Sequence, residues 1–400
     1  MLEPITRPLK VRLLNAGDTL LRAVGIRRHR FEPEALKAAA AKRIGLSDFG
    51  EPDFEEGLAV ACLAAEEAEM DIVGRAIVDS TLRRILGNRL LWVDYKKRNP
   101  TVFEERIRPI VVVVGLPRTG TTALHRLLAC DPDAHAPPTW EVWRPLPRLG
   151  GEDKRREITA RAISGLQSLA PSLDKKHYLD ADAAEECWHL RDPSFRGPGP
   201  YNLFPAERYR HWLAEQDVGP SYSMYRDYIQ IFQSQSPNSR LTMKAPAHAP
   251  HVADLEAAVP SALLVQTHRD PVELTGSTSS LAYTMLATMK PDIDPMVVGR
   301  MTLALLGEYV EGNRVQRARL KGNIVDVRYA DFVADPVAVV RAIYEAHALP
   351  FSDEAAQAMQ EGAGKRPQNK HGKHNWKLED VGITEAEIHD LFADYAPRFL

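Results

Sequence analysis

Gly115-Leu116-Pro117-Arg118-Thr119-Gly120-Thr121-Thr122 sets two glycines around an arginine and precedes a helix-compatible run. Glycines let the backbone turn and approach a ligand closely, and a helix starting at this point aims free N–H groups at an anion. The spacing is that of a phosphate-binding P-loop, Gly, four residues, Gly, with Thr122 at the hydroxyl position. Thr121 stands where that loop carries lysine. Without a lysine to reach the β- and γ-phosphates, hydrolysis of ATP or GTP is a poor fit, and Arg118 supplies the cation from inside the loop instead. The chemistry indicated is capture of an anionic group in a way unlike that of an NTPase.

Two further segments end in groups of the same kind. Leu241-Thr242-Met243 runs into Lys244, and Ala262-Leu263-Leu264-Val265-Gln266-Thr267 runs into His268-Arg269-Asp270-Pro271. Ser277 follows Arg269 at eight residues, so an arginine at a strand end and a serine two helical turns on can clamp one phosphate from two sides. Two anion sites on one sheet suggest a ligand with two phosphate-like ends.

The elements that must position these groups follow from the apolar pattern. Ile110-Val111-Val112-Val113-Val114 reads as a buried strand, and Ile324-Val325-Asp326-Val327-Arg328-Tyr329 is the last of four such runs. Strands separated by helical segments predict an α/β fold, a parallel, doubly wound sheet of P-loop-like build flanked by helices, with its ligand at the carboxyl ends of the strands. Ala123 to Cys130 reads as a helix ending at Asp131-Pro132-Asp133, and Pro137 to Trp143 as a proline-rich, aromatic connection. From Glu32 to Arg98 the periodicity is helical, broken at Asn99-Pro100. Residues 1–105 are therefore expected to form a helical extension on a body spanning 106–400.

Composition narrows the class. The chain has 400 residues and a net charge of −3, which gives no global reason to expect nucleic acid and leaves a small molecule as the expected partner. Cys62, Cys130 and Cys187 are too few and scattered for a disulfide framework or a cysteine zinc site, which suits a reducing, cytoplasmic setting. No apolar run approaches the ~20 residues of a membrane span. Residues 1–30 mix Leu13, Leu14, Leu20 and Leu21 with several arginines, compatible with a helix touching a membrane surface but read first as one packed on the body. The oligomeric state, a homo-oligomer included, stays open.

In these residues the chain resembles the sulfotransferases that use 3′-phosphoadenosine 5′-phosphosulfate (PAPS). Gly115 to Thr122 is similar to that family's 5′-phosphosulfate loop, Arg269 with Ser277 to its 3′-phosphate site, and Tyr329-Ala330-Asp331-Phe332 to the segment whose tyrosine lies at the adenine. The resemblance covers roughly residues 108 to 385, nearest the bacterial branch and, more distantly, the tyrosylprotein sulfotransferases. It departs in carrying Arg118 where many cytosolic members carry lysine, and in only faintly echoing their C-terminal segment at Asn369 to Lys377.

The resemblance implies transfer of a sulfuryl group in line to an acceptor hydroxyl, with the bisphosphate PAP as second product and no metal required. It implies that Arg118, Thr119, Gly120, Thr121 and Thr122 bind the 5′-phosphosulfate, that Arg269 and Ser277 bind the 3′-phosphate with Lys370 and Lys373 covering it, and that Tyr329 lies at the adenine. Lys244 would stabilise the bridging oxygen. Glu141 and His248 are the two candidates for the base, Glu141 preferred, with His251 behind them. Glu185, Glu186 and His189 read as one helix face, where a solvated or paired face outweighs a metal site for want of a second cluster. Trp140, Trp143, Tyr201, Phe204 and Trp212 tilt the acceptor towards an apolar or phenolic molecule. A P-loop-like small-molecule kinase and a non-catalytic nucleotide-binding protein are the alternatives.

Overall fold

The computed structural model describes residues 7–24, 30–171, 178–322, 324–365 and 377–400. The run at Ile110 forms strand β1 (Ile110–Gly115), and all six of its residues are buried. A strand covered on both faces needs β-branched residues throughout rather than alternation. Each of its five Ile and Val side chains contributes about 1.5–3 kcal/mol relative to an exposed one.

Around it lie β2 (Ala134–His135), β3 (Arg240–Lys244), β4 (Ala262–His268) and β5 (Ile324–Arg328), in the order β2-β3-β1-β4-β5. Every pairing is parallel. The chain leaves β1 for the far edge, returns to pair β3 beside it, then crosses to β4 on its other side, so the order reverses at β1. That reversal opens a crevice at the carboxyl ends of the strands. Register completes the alignment: Val113 lies opposite Lys244 and Val265, Gly115 opposite Thr267, and His268 opposite Arg328. Strand β2 was not expected; two residues are too few to carry a periodic signal.

The two faces of β1 bury different layers, as alternation of side chains along a strand requires. Val111 and Val113 pack with Leu124 and Leu127 of helix Thr121–Leu128 and with Val340 and Met359 of helices Pro336–Ala346 and Asp353–Lys365. Ile110, Val112 and Val114 join a larger cluster that includes Phe54, Leu58, Leu86 and Leu90. Those four come from the helical stretch before β1, which divides into Pro33–Ile44, Glu55–Glu67 and the 27-residue Ile72–Arg98, with a short 3₁₀ turn at Pro52–Phe54.

The first described helix, Leu9–Ala23, buries Val11 and leaves Leu9, Leu13 and Leu20 exposed. It is tied down by Asp71, whose carboxylate caps the Ile72–Arg98 helix at the Gly74 N–H (2.7 Å) and also receives Asn15 (2.7 Å) and Arg7. Among the described residues no helix is long and apolar enough to cross a membrane.

Candidate active site

The loop after β1 is shaped by backbone that ordinary residues avoid. Gly115 has φ 143°, Arg118 φ 66° and Gly120 φ 96°. A Cβ on Gly120 would fall 2.7 Å from the Tyr329 ring, so the loop must pass that ring as bare backbone. Thr119 pins the turn from within: its hydroxyl donates to the Leu116 carbonyl (2.7 Å) and lies 2.7 Å from the Thr267 hydroxyl at the end of β4. Helix Thr121–Leu128 then begins with no side-chain cap, leaving its first N–H groups to a ligand.

The residues read from the ends of β1, β4 and β5 meet here. Arg118 Nε donates to Ser277 Oγ at 2.9 Å. Arg269 Nη1 donates to the Arg118 carbonyl at 3.1 Å, and its guanidinium stacks 4.4 Å from the centroid of Tyr329. Arg269 pairs with Glu273 at 2.7 Å, whereas Arg118 makes no ion pair with an acid among the described residues. Burial first, and the neighbouring Arg269 second, pull the Arg118 guanidinium below its ordinary pKa. Two guanidiniums held together at a loop of free N–H groups form a site for an anion. Lys370 and Lys373 lie outside the described residues.

Lys244 closes the other side. It is 1% exposed, with Nζ 2.8 Å from Glu186 Oε1 and 3.2 Å from Thr122 Oγ1. The second oxygen of Glu186 accepts the Trp188 indole N–H at 2.8 Å. Glu186 thus reaches the mouth of the loop, a placement the sequence did not disclose. Glu185 and Glu186 do not share a helix face with His189: they precede a 3₁₀ turn at Cys187–Leu190, and His189 Nε2 accepts the Trp143 indole N–H at 2.9 Å. No group of acids, histidines and cysteines suited to a metal ion occurs among the described residues.

The two expected bases stand elsewhere. His248 is fully buried, its Nδ1 2.9 Å from the Tyr222 hydroxyl and its Nε2 3.3 Å from Cys187 Sγ. Desolvation drives its pKa well below the ordinary histidine value, so the ring is neutral and sealed in the core. Glu141 lies on helix Thr139–Trp143, which forms where a connection was expected, and its Oε2 is bound by His135 Nε2 at 2.8 Å. His251 faces Asp254 at 3.3 Å.

A cavity of about 960 Å³ starts at this loop and extends between helices Ile72–Arg98 and Pro271–Met289. Arg118, Gly120, Thr121, Thr122, Arg269, Tyr329 and Glu186 line one part; Ile72, Ile77, Leu281 and Met285 line another. Of the expected aromatics, Trp143 and Tyr201 face it. Phe204 is buried in the core, Trp212 donates to Glu56, and Trp140 packs under Arg155.

Comparison with known proteins adds an independent line. Sulfotransferase STF1 from Mycobacterium tuberculosis H37Rv is 31% identical and superposes with a TM-score of 0.79, covering 90% of this chain and 98% of its own. Sulfotransferase STF9 from Mycobacterium avium is 26% identical with a TM-score of 0.81, covering 92% and 96%. No match was found among functionally curated proteins. The sulfotransferase family model matches residues 109–353, from the start of β1 to beyond the last strand. With the family model covering more than half of the chain, this protein belongs to the sulfotransferase family.

Proposed function

We propose that the protein moves a sulfuryl group from PAPS to a hydroxyl on a small, largely apolar acceptor. The observation that carries this is the meeting of Arg118, Arg269, Ser277 and Tyr329 beside an uncapped helix start, with the Lys244–Glu186 pair at the mouth. This set fits a donor that carries two anionic groups and an aromatic base on one sugar. Arg118 and the amides of Thr119 to Thr122 hold the 5′-phosphosulfate, Arg269 and Ser277 the 3′-phosphate, and Tyr329 packs at the adenine. Residues 1–105 act as a helical extension of the domain at 106–400 that does this work.

In sulfuryl transfer the bond from sulfur to the bridging oxygen breaks as the bond to the acceptor oxygen forms, and the acceptor loses its proton. Catalysis is then positioning plus stabilisation of charge on the departing oxygen. Lys244 supplies that stabilisation. The proton goes to Glu186, the carboxylate that lines the cavity beside Lys244, rather than to Glu141 or His248, neither of which lines it.

The test is calorimetric binding of PAP without metal, beside ADP and Mg·ATP. Micromolar affinity for PAP, with much weaker binding of ADP, supports the donor site. Preference for Mg·ATP moves the reading to a kinase-like transferase, and binding of neither to a protein without this chemistry.

A further inference from the structure

Two cations on the cavity wall are left over once the proposed donor site is filled. Among the described residues five arginines line the cavity: Arg84, Arg118, Arg144, Arg210 and Arg269. Arg210 is paired with Glu207 at 2.6 Å and Arg269 with Glu273, while Arg118 belongs to the loop. The acids of the wall are also accounted for: Glu207 by Arg210, Glu186 by Lys244, and Glu185 by the Glu186 N–H at 2.8 Å.

Among the described residues, Arg84 and Arg144 have no such partner. Arg84 is 9% exposed, and its guanidinium donates to one backbone carbonyl, that of Trp143, at 3.0 Å. The Arg144 side chain makes no hydrogen bond or ion pair among the described residues, and its Nε is buried and unsatisfied. The charges that act on Arg144 are all of its own sign, Arg84, Arg43 and Arg148. The acid that acts on Arg84 is Asp192, which forms no ion pair with it and is itself buried. A desolvated guanidinium is costly unless an anion meets it, and more so where a like charge acts on it, as Arg84 does on Arg144. Planar guanidiniums suit carboxylate or phosphate oxygens.

We infer that Arg84 and Arg144 form a second anion site, which holds an acidic group of the acceptor while its aliphatic body lies along the apolar wall of the cavity. Naming the ligand an acceptor rests on the proposed sulfuryl transfer; the site itself does not. The acceptor class is an amphipathic acid carrying a hydroxyl, its charge a carboxylate or a phosphate ester. Trp143 connects this pair to Glu186: its ring lies 5.3 Å from the Arg84 guanidinium and its N–H binds His189, whose ring centroid lies 3.6 Å from that of Trp188, the partner of Glu186.

The experiment is calorimetry of the full chain with decanoate, decyl phosphate and decanol, none of which needs to react, alongside PAP. Decanoate or decyl phosphate should bind about tenfold or more tighter than decanol. Arg144→Gln should remove that preference while leaving decanol and PAP affinity unchanged. Whichever acid binds better names the anion. Equal binding of acid and alcohol, no binding of any, or an Arg144→Gln variant that keeps the acid preference overturns the site. Should Arg84→Gln fail to fold, Arg144→Gln, at a half-buried position, still decides. Failure of PAP to bind with the decanoate result intact would remove the sulfotransfer reading and leave this one standing.

Discussion

Lys244 Nζ sits 2.8 Å from Glu186 Oε1 and 3.2 Å from Thr122 Oγ1, so one ammonium joins a carboxylate at the cavity to the hydroxyl of the anion loop. It is drawn from the end of β3, the strand paired beside β1, whose following loop carries Thr122. The pair places the proposed proton acceptor and the proposed charge stabiliser within one contact of each other. Replacing Glu186 with Gln should lower kcat by about 10²–10⁴ with PAP affinity little changed, read by PAP release at saturating acceptor. Glu141→Gln should stay within a few-fold of wild type. The opposite ranking would return the base to Glu141.

Arg269 is held between the Arg118 carbonyl and the Tyr329 ring, with Ser277 reached by Arg118. Arg269→Ala should weaken PAP by about 10–100-fold and leave adenosine 5′-phosphosulfate, which lacks the 3′-phosphate, nearly unaffected. Ser277→Ala should act in the same direction and less strongly. Equal losses for both nucleotides would mean that Arg269 shapes the loop rather than reading the 3′ end.

Gly120→Ala combines a φ of 96° with a Cβ 2.7 Å from the Tyr329 ring. Left-handed backbone for an alanine costs about 1–3 kcal/mol, and the ring must also move. The expected outcome is a Tm lower by a few degrees together with a drop in PAP affinity of about tenfold or more. A variant that melts earlier but binds PAP normally would show that the loop tolerates a displaced ring.

Asp192 is 2% exposed, accepts the Gly199 N–H at 3.0 Å, and is pushed by desolvation up to about 7. Its folded pKa is above the unfolded value near 4, so the native state binds more protons between pH 4 and 7. This group's contribution is then greatest at low pH and falls as pH rises through that window. Asp192→Asn keeps the acceptor oxygen and removes the charge. Urea unfolding at pH 5 and pH 8 should show the variant gaining on wild type at the higher pH, by on the order of a few kcal/mol. Parallel stabilities at both values would contradict a neutral carboxyl here.

Much of the anion loop was legible because its cause is local. A run of β-branched residues buries on both faces and forms a strand, glycines at 115 and 120 permit positive φ, and a helix start without a cap exposes N–H groups. Lys244, Arg269 and Tyr329 were found for the same reason: each directly follows, or ends, an apolar run, and parallel strands bring their carboxyl ends to one edge.

The sequence by itself determined the parallel α/β fold, the loop and the cations at the strand ends. Only tertiary structure decided which acid joins them. Glu185-Glu186 reads locally as a solvated pair, yet a bridge between Pro138 and Ala184 and the turn at Cys187–Leu190 bring Glu186 against Lys244 from 58 residues away. His248 reads locally as a reactive histidine, yet Tyr222 and Tyr225 of helix Gly219–Gln235 pack around its ring and hold it neutral. Backbone preference is set by adjacent residues, whereas desolvation and charge pairing depend on groups distant along the chain. The first can be read in order, and the second exists only once the chain has folded.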